Sequence, residues 1–254
     1  KQVLIEKQNN IGLVYVPRYE NSLWKEVLEK SVEEFKGTKA IPSTINLEYK
    51  EGEFKGSNPY FVCILGNNLI AKTGKNYILP MTPSQSQQML KQNPDFLKNS
   101  YIDHGLLTIY PNNKVKTNSV TYGSILSQFS SDDWKHQFLD LDLSKPFVIF
   151  GLMNVKKDSS HENDLKFEVC EYTKAFNHDA LLKGGSFDSQ DPGLIETGLP
   201  YNLGQGNRNL YVGDEGGRRF VRSRDLDLGA GGGGLAGSND AGRVHVAKIF
   251  HSGD

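Results

Sequence analysis

The chain lacks the features that settle many sequences at a glance. No apolar run reaches the roughly 20 residues of a spanning helix, so a membrane partner is not expected. The residues after Lys1 contain no apolar signal segment, and because the chain opens without Met, processing upstream stays open. Positive and negative charges nearly cancel, with a formal net charge of -1 over 254 residues, which leaves no global field for nucleic acid or acidic lipid. Two cysteines, Cys63 and Cys170, are too few for a disulfide scaffold; flanked by apolar residues, they fit two buried thiols or, in an extracellular setting, one long-range disulfide. The length suffices for one large domain or two modest ones, each with a core.

What is present is clearest over residues 77–109, YILPMTPSQSQQMLKQNPDFLKNSYIDHGLLTI. Tyr77, Ile78 and Leu79 end a strand that Pro80 stops by removing a ladder donor. Thr82 then caps a helix with Pro83 in its first position. Good helix formers run to Gln92, with Met89 and Leu90 facing the body and Gln85, Gln87, Gln88 and Lys91 facing water. Pro94 ends the helix, a further turn over residues 95–100 buries Phe96 and Leu97, and Gly105 admits the reversal into Leu106, Leu107, Thr108 and Ile109. This strand, helix, strand unit resembles one in small structural proteins of tailed phages, on Leu79, Thr82, Pro83, Leu90, Asn93, Pro94, Gly105 and Ile109. The resemblance implies a protein that builds or decorates a virion and has no active site.

Elsewhere, residues 3–5 and 11–16 read as strands. The stretch LWKEVLEKSVEEF carries Leu23, Val27, Leu28, Val32 and Phe35 at helical spacing, with a cap at Asn21 or Ser22 and a stop at Gly37, and predicts an amphipathic helix. Residues 44–49 and 60–65 read as strands joined by EGEFKGSNP, with turns at Asn67-Asn68 and residues 74–76. Residues 117–134 have weak periodicity and read mostly as loop. The apolar run 147–155 suits a strand buried on both faces, and residues 165–172 alternate; joined by the polar loop 156–163, the two read as antiparallel neighbours.

Composition shifts after Lys183. Sixteen of the 26 glycines lie in residues 184–243, and six of the seven arginines in residues 208–243. This places a boundary near Gly184, between an α+β domain with an antiparallel sheet over residues 1–183 and a Gly/Arg-rich β module or extension over residues 184–254. Short strands are expected at residues 209–212, 219–222 and 244–250. The glycine run 229–237 offers few side chains to offset the roughly 1–2 kcal/mol per residue of backbone ordering.

Catalytic, cofactor and metal signatures do not emerge. Glu48-Tyr49-Lys50 matches half of a nuclease site but has no aspartate on the preceding stretch. Asp158, His161, Glu162, Asn163 and Asp164 form the densest ligand-like group, yet they lack the central glycine and distal glutamate of a calcium loop and the soft ligands zinc prefers, so a polar hairpin loop accounts for them. His104, His136, His178, His245 and His251 are scattered, and His245 reads as an exposed strand residue. Residues 229–234 are not followed by the Gly-Lys-Ser/Thr of a phosphate loop. Asp188, Asp191, Asp214, Glu215, Asp225 and Asp227 interleave with the arginines; such pairs would cross-link a segment short of core and cancel the field that a phosphate or nucleic acid needs.

Together these features predict an α+β protein, mainly β, built as an antiparallel sheet or β-sandwich with two or three short helices and a Gly/Arg-rich C-terminal region. The expected function is non-enzymatic: a virion structural or decoration protein, in a homo-oligomer or with other virion proteins, holding no cofactor or metal. Its candidate interface is Arg208, Arg218, Arg219, Arg222, Arg224, Tyr201, Tyr211 and Phe220. The alternative is a carbohydrate-binding or adhesive β-sandwich, secreted or at the cell surface, in which Tyr201, Tyr211 and Phe220 stack on a glycan beside Asn202, Gln205, Asn207 and Asn209. A hydrolase ranks last.

Overall fold

The computed structural model describes residues 21–43, 45, 49–50, 53–74, 78–213, 215–230 and 234–248. The strands expected at residues 3–5 and 11–16, together with Glu48 and Asp214, lie outside the described residues. In chain order the first half contains α1 (Asn21–Glu34), β1 (Tyr49–Lys50), β2 (Glu53–Lys55), α2 (Pro59–Thr73), β3 (Ile78–Pro80), α3 (Pro83–Gln92), β4 (Tyr101–Ile109) and α4 (Ser119–Phe129). The second half adds β5 (Phe147–Gly151), β6 (Asn154–Lys157), β7 (Leu165–Glu168), β8 (Thr173–Asn177), α5 (Ala180–Lys183), β9 (Gly185–Phe187), α6 (Gly193–Glu196), β10 (Arg208–Tyr211), β11 (Gly217–Arg222), β12 (Leu228–Ala230) and β13 (Gly242–Lys248).

The core is organised around α2, in which every residue from Pro59 to Gly66 is buried. Asn58 caps it, its side chain accepting from the Phe61 N–H at 2.8 Å; Pro59 occupies the first turn, and Gly74 closes the end at φ 60°. The strand expected at residues 60–65 is therefore corrected to a helix. A continuous apolar run is buried equally well by a strand covered on both faces or by a helix covered all round, and only the Asn-Pro start and the Gly stop distinguish them. Trp24, Val27 and Leu28 of α1 join the same cluster, and Asn68 donates to Ser31 Oγ at 3.0 Å across the helix pair. Tyr60 stacks on Phe167 with ring centroids 4.5 Å apart. Each large side chain buried in this way stabilises the fold by about 1.5–3 kcal/mol. Cys63 and Cys170 are both free and buried, and they bracket one corner of backbone, Cys63 Sγ accepting from Met153 N–H and Cys170 Sγ donating to the Leu152 carbonyl.

Eleven strands form one open sheet whose main path runs β1-β2-β13-β4-β11-β12-β10-β9, with β3 attached to β13, and β5 and then β8 branching from β4. One edge of β4 pairs antiparallel with β11, from Gly217↔Ile109 to Arg222↔Ile102. Its other edge is shared, parallel to β13 at Tyr101 and Ile102 and antiparallel to β5 from Gly105 onward. Strands from either side of Gly184 thus lie in a single sheet. Six α-helices occur among the described residues, four of them of ten residues or more, and two pairings are parallel. The fold is mixed α+β on an open sheet, and the expected mainly β, antiparallel sheet or sandwich with two or three short helices is corrected accordingly.

Two further differences have local causes. Residues 117–134, expected as loop, contain α4, whose first N–H groups are capped from a distance: the Glu162 carboxylate accepts from Val120 N and Thr121 N at 2.8 Å each. The apolar run 147–155 breaks into β5 and β6 at Gly151, where φ is 80° and a Cβ would lie 2.2 Å from the Tyr172 carbonyl oxygen. The antiparallel partnership of β6 and β7 is present, with Val155 opposite Phe167.

Strand, helix and strand follow in the expected order over the described part of residues 77–109, but the reversal expected at Gly105 is corrected: β4 runs on from Tyr101 to Ile109, and at Gly105 only its register against β5 shifts. Thr82 and Gln85 form a reciprocal capping box on α3, with Pro83 in the first turn. Leu90, Leu97 and Ile102 make a small core of their own, with Phe96 and Leu226 against it, which anchors α3 to β4 and to the turn after β11. Gln85 and Gln87, expected to face water, are 6 % and 2 % exposed. Gln85 is held in by the capping box; Gln87 is held in by the arginines.

Candidate anion site

Strand alternation in β11, GRRFVR, would put Arg218, Phe220 and Arg222 on one face. A register shift against β4 between Arg219 and Val221 breaks that alternation, so that Arg219, Phe220 and Arg222 are all buried, at 8 %, 1 % and 0 % exposure. Of the eight residues singled out from sequence, only Arg224, Tyr201 and Tyr211 are exposed. Arg208 and Arg218 are half-buried, Arg218 standing 3.9 Å from Glu215. Tyr201 stacks on His178 with centroids 5.7 Å apart and donates to Glu196 at 2.8 Å. The structure brings Arg208 and Arg222 together and sends Arg219 to a separate partner.

That partner is Asp103, in the middle of β4. Arg219 donates from Nε to Oδ1 and from Nη2 to Oδ2, both at 2.7 Å, while its Nη1 donates to the Gly237 carbonyl. Ser57 Oγ supplies a third donor to the carboxylate at 2.6 Å. Burial works against the guanidinium charge, but the charge and hydrogen bonds of Asp103 outweigh it and raise the Arg219 pKa above its ordinary value. This pair ties the glycine-rich segment to β4 and is complete in itself.

Among the described residues Arg222 has no such partner. Its Nη1 donates to Gln87 Oε1 at 3.2 Å, and Arg208 Nη1 reaches the same oxygen at 3.5 Å. Gln87 is held in place by its own donation to the Ser189 carbonyl at 3.0 Å. Two guanidinium groups thus share one neutral acceptor, and Arg222 Nε and Nη2 are buried without a hydrogen-bond partner among the described residues. Burial, and after it the charge of Arg208, push the Arg222 pKa down to about 9. Arg208 is also lowered by burial, with Asp227 and Asp188 opposing.

Arg208 lines a cleft of about 400 Å³ together with Leu90, Lys91, Pro94, Gln190 and Leu226. Leu226 adopts φ 66°, a left-handed conformation that a bulky residue reaches only at a cost of about 1–3 kcal/mol. The loop that imposes it is closed by Leu226 N–H to Ser223 O and by Ser223 N–H to Asp227 O. The cleft therefore has two cations, Arg208 and Lys91, among its lining residues beside Leu90, Pro94 and Leu226; Arg222 lies outside that lining and is linked to it through the Gln87 oxygen it shares with Arg208. Gln87, Lys91, Gln190 and Leu226 were missed as site residues from sequence; the available signal was a glutamine placed where α3 must pack.

The other acidic groups are occupied structurally. Asp191 accepts from the N–H groups of Gly193, Tyr201 and Asn202, and Asp227 from that of Asn209. Asp158 accepts from Ser160 N–H and Oγ, and Glu162 caps α4. Among the described residues no group of three or more His, Cys, Asp or Glu is placed to hold a metal ion, and no helix is long and apolar enough to cross a membrane. His245, expected on the surface, is 7 % exposed, packed on Phe96. No family model, curated protein or solved structure matches the chain.

Proposed function

We propose that this chain is a non-enzymatic binding protein whose cleft between α3 and the β10–β12 edge receives an anionic ligand. One observation carries the reading: Arg222 is fully buried, two of its donors have no hydrogen-bond partner among the described residues, and the charge that acts on it is that of another cation, Arg208, which lines the cleft. Desolvating a charge without a counterion costs several kcal/mol, on the order of 3–5 when one partner of a buried pair is removed. An oxyanion bound at Arg208 in the cleft offsets the repulsion between Arg222 and Arg208 and places a negative charge near the buried guanidinium. Binding rather than turnover is supported by the neighbouring carboxylates Asp191 and Asp227, which are held by backbone N–H groups.

Thermal unfolding at constant ionic strength tests this, with sodium acetate or phosphate replacing sodium chloride. The expected result is a saturable rise in Tm that Arg208→Gln weakens. Equal curves in all three salts would overturn the proposal.

Assembly through repeated contacts, of the kind the tailed-phage resemblance implies, is a second reading. It is supported by Tyr201 and Tyr211 at 49 % and 56 % exposure, and by β8 and β9, which each pair on one edge among the described residues. Sedimentation velocity over a hundredfold concentration range would show a closed oligomer if it holds and a monomer throughout if it does not.

A further inference from the structure

We infer that His178 is a proton-sensitive latch: as the neutral imidazole it holds the segment 188–202 in place, and an added proton releases that segment. The latch consists of one hydrogen bond and one ring stack. His178 Nδ1 accepts from the Ala180 N–H at 3.2 Å, across the turn that opens α5. A backbone N–H can only donate, so Nδ1 is the bare nitrogen and Nε2 carries the hydrogen. Nε2 is buried with no hydrogen-bond partner among the described residues. The imidazole touches Phe176, with centroids 6.1 Å apart and planes at 79°, and stacks on Tyr201, with centroids 5.7 Å apart and planes at 3°. A second proton can enter only at Nδ1, where it meets the Ala180 N–H head-on and leaves buried donors without an acceptor.

Two carboxylates act on the ring, Asp179 next to it in sequence and Asp191, and both favour the cation. Burial outweighs them and holds the His178 pKa below its ordinary value. Tyr201 stays neutral, its own pKa raised to about 12 by burial and by Glu196, which accepts its hydroxyl at 2.8 Å. Acid therefore favours the arrangement in which the ring has left its seat and takes its proton in water. Asp191 defines what the latch holds: it accepts from the N–H groups of Gly193, Tyr201 and Asn202 and makes one looped unit of them. Tyr201 closes that unit onto His178, and Gly193 admits the ring, since a Cβ there would lie 2.9 Å from Tyr201 Cγ. The same segment carries Ser189, whose carbonyl holds Gln87, and Gln190, which lines the cleft. Release at His178 thus loosens one side of the cleft, a consequence that rests on the anion-binding reading; the latch itself does not.

Amide hydrogen exchange of the full chain at about pH 7 and about pH 5, corrected for intrinsic exchange, tests the latch without any ligand. Against burial, the N–H groups around Asp191 hold its pKa below the usual carboxylate range, so it stays ionised at both. On acidification the amides of Ala180, Gly193 and Tyr201 should lose at least about threefold more protection than those of α2, which report the global change. His178→Asn keeps an oxygen within reach of the Ala180 N–H and does not titrate, so the extra loss should vanish. Ring-proton NMR of the wild type follows His178 directly, with a midpoint expected below about 6.5. A midpoint at or above that value, equal losses in α2 and the segment, or the same extra loss in His178→Asn would overturn the latch. Titration with sodium formate at both pH values reads the cleft separately. Weaker binding at the lower pH in wild type but not in His178→Asn joins latch to cleft; equal binding cuts that link, and no binding at either pH removes the anion reading and leaves the latch.

Discussion

Asp103 and Arg219 form a fork-to-fork ion pair across β4 and β11, with both N–O distances at 2.7 Å and the Asp103 side chain fully shielded from solvent. Removing one partner strands the other. Asp103→Asn should therefore destabilise the fold by about 3–5 kcal/mol, whereas Asp103→Leu combined with Arg219→Met should cost less than the sum of the single changes. Urea unfolding of wild type, Asp103→Asn, the two single changes and the double variant measures this; additive losses would mean that the pair is not coupled as the geometry requires.

The Asn58 side chain joins three parts of the chain, accepting from Phe61 N–H at the start of α2 and donating to the carbonyls of Ala40 and Ala236. Asn58→Ala removes a cap worth about 1 kcal/mol and leaves carbonyl groups without their donor, each costing roughly 1–3 kcal/mol where buried. Asn58→Ser keeps a neutral cap acceptor without the amide donors, so its loss should be intermediate. Equal unfolding midpoints for the two variants would show that the cap acceptor contributes nothing.

What could be read from the sequence was what local chemistry decides. The caps at Thr82 and Pro83, the stripe on α1, the β6–β7 hairpin and the short strands near Asn209 and Arg219 all follow from neighbours within a few residues. What could not be read depends on partners far along the chain. Glu162 caps a helix 42 residues before it, and Asp103 meets an arginine 116 residues later. The run from Tyr60 to Leu65 has no period because α2 is covered on every side, so pattern alone could not separate helix from strand. The arginines were visible as a cluster, but their burial follows from the bulge in β11 and from Gln87 on α3, neither of which a linear reading contains.

His245 on β13 ties the fold to pH. Burial, aided by Arg243, lowers its pKa to about 4; Glu53 Oε2 stands 3.8 Å from its Nε2 and Phe96 covers the ring. An unfolded histidine takes up its proton near pH 6.5, so between about 6.5 and 4 the unfolded state binds the proton that the folded state refuses. The contribution is fully present above pH 6.5 and is lost as pH falls to about 4, at up to about 1.4 kcal/mol per pH unit. Carboxylates titrate over the lower part of this window, so the difference between wild type and His245→Gln is the quantity to measure. The variant should have the shallower decline from pH 6.5 to 5; parallel curves would show that the buried imidazole is not the group responsible.

The shared acceptor between Arg222 and Arg208 offers the sharpest test of the cleft. Gln87→Glu would place a carboxylate where both guanidinium groups already converge, at 3.2 and 3.5 Å from Oε1. Hydrogen bonds between ionised partners are roughly twice as strong as neutral ones, and two would be converted while one, Gln87 to the Ser189 carbonyl, would be lost. The variant should unfold at higher urea concentration than wild type and should respond at least tenfold more weakly to added anion, because the counterion is now built in. A variant that is less stable, with its anion response intact, would mean that Arg222 is already compensated and that the cleft is not waiting for a charge. Stability and binding are expected to move in opposite directions here, which distinguishes an unfilled ligand site from a merely imperfect core.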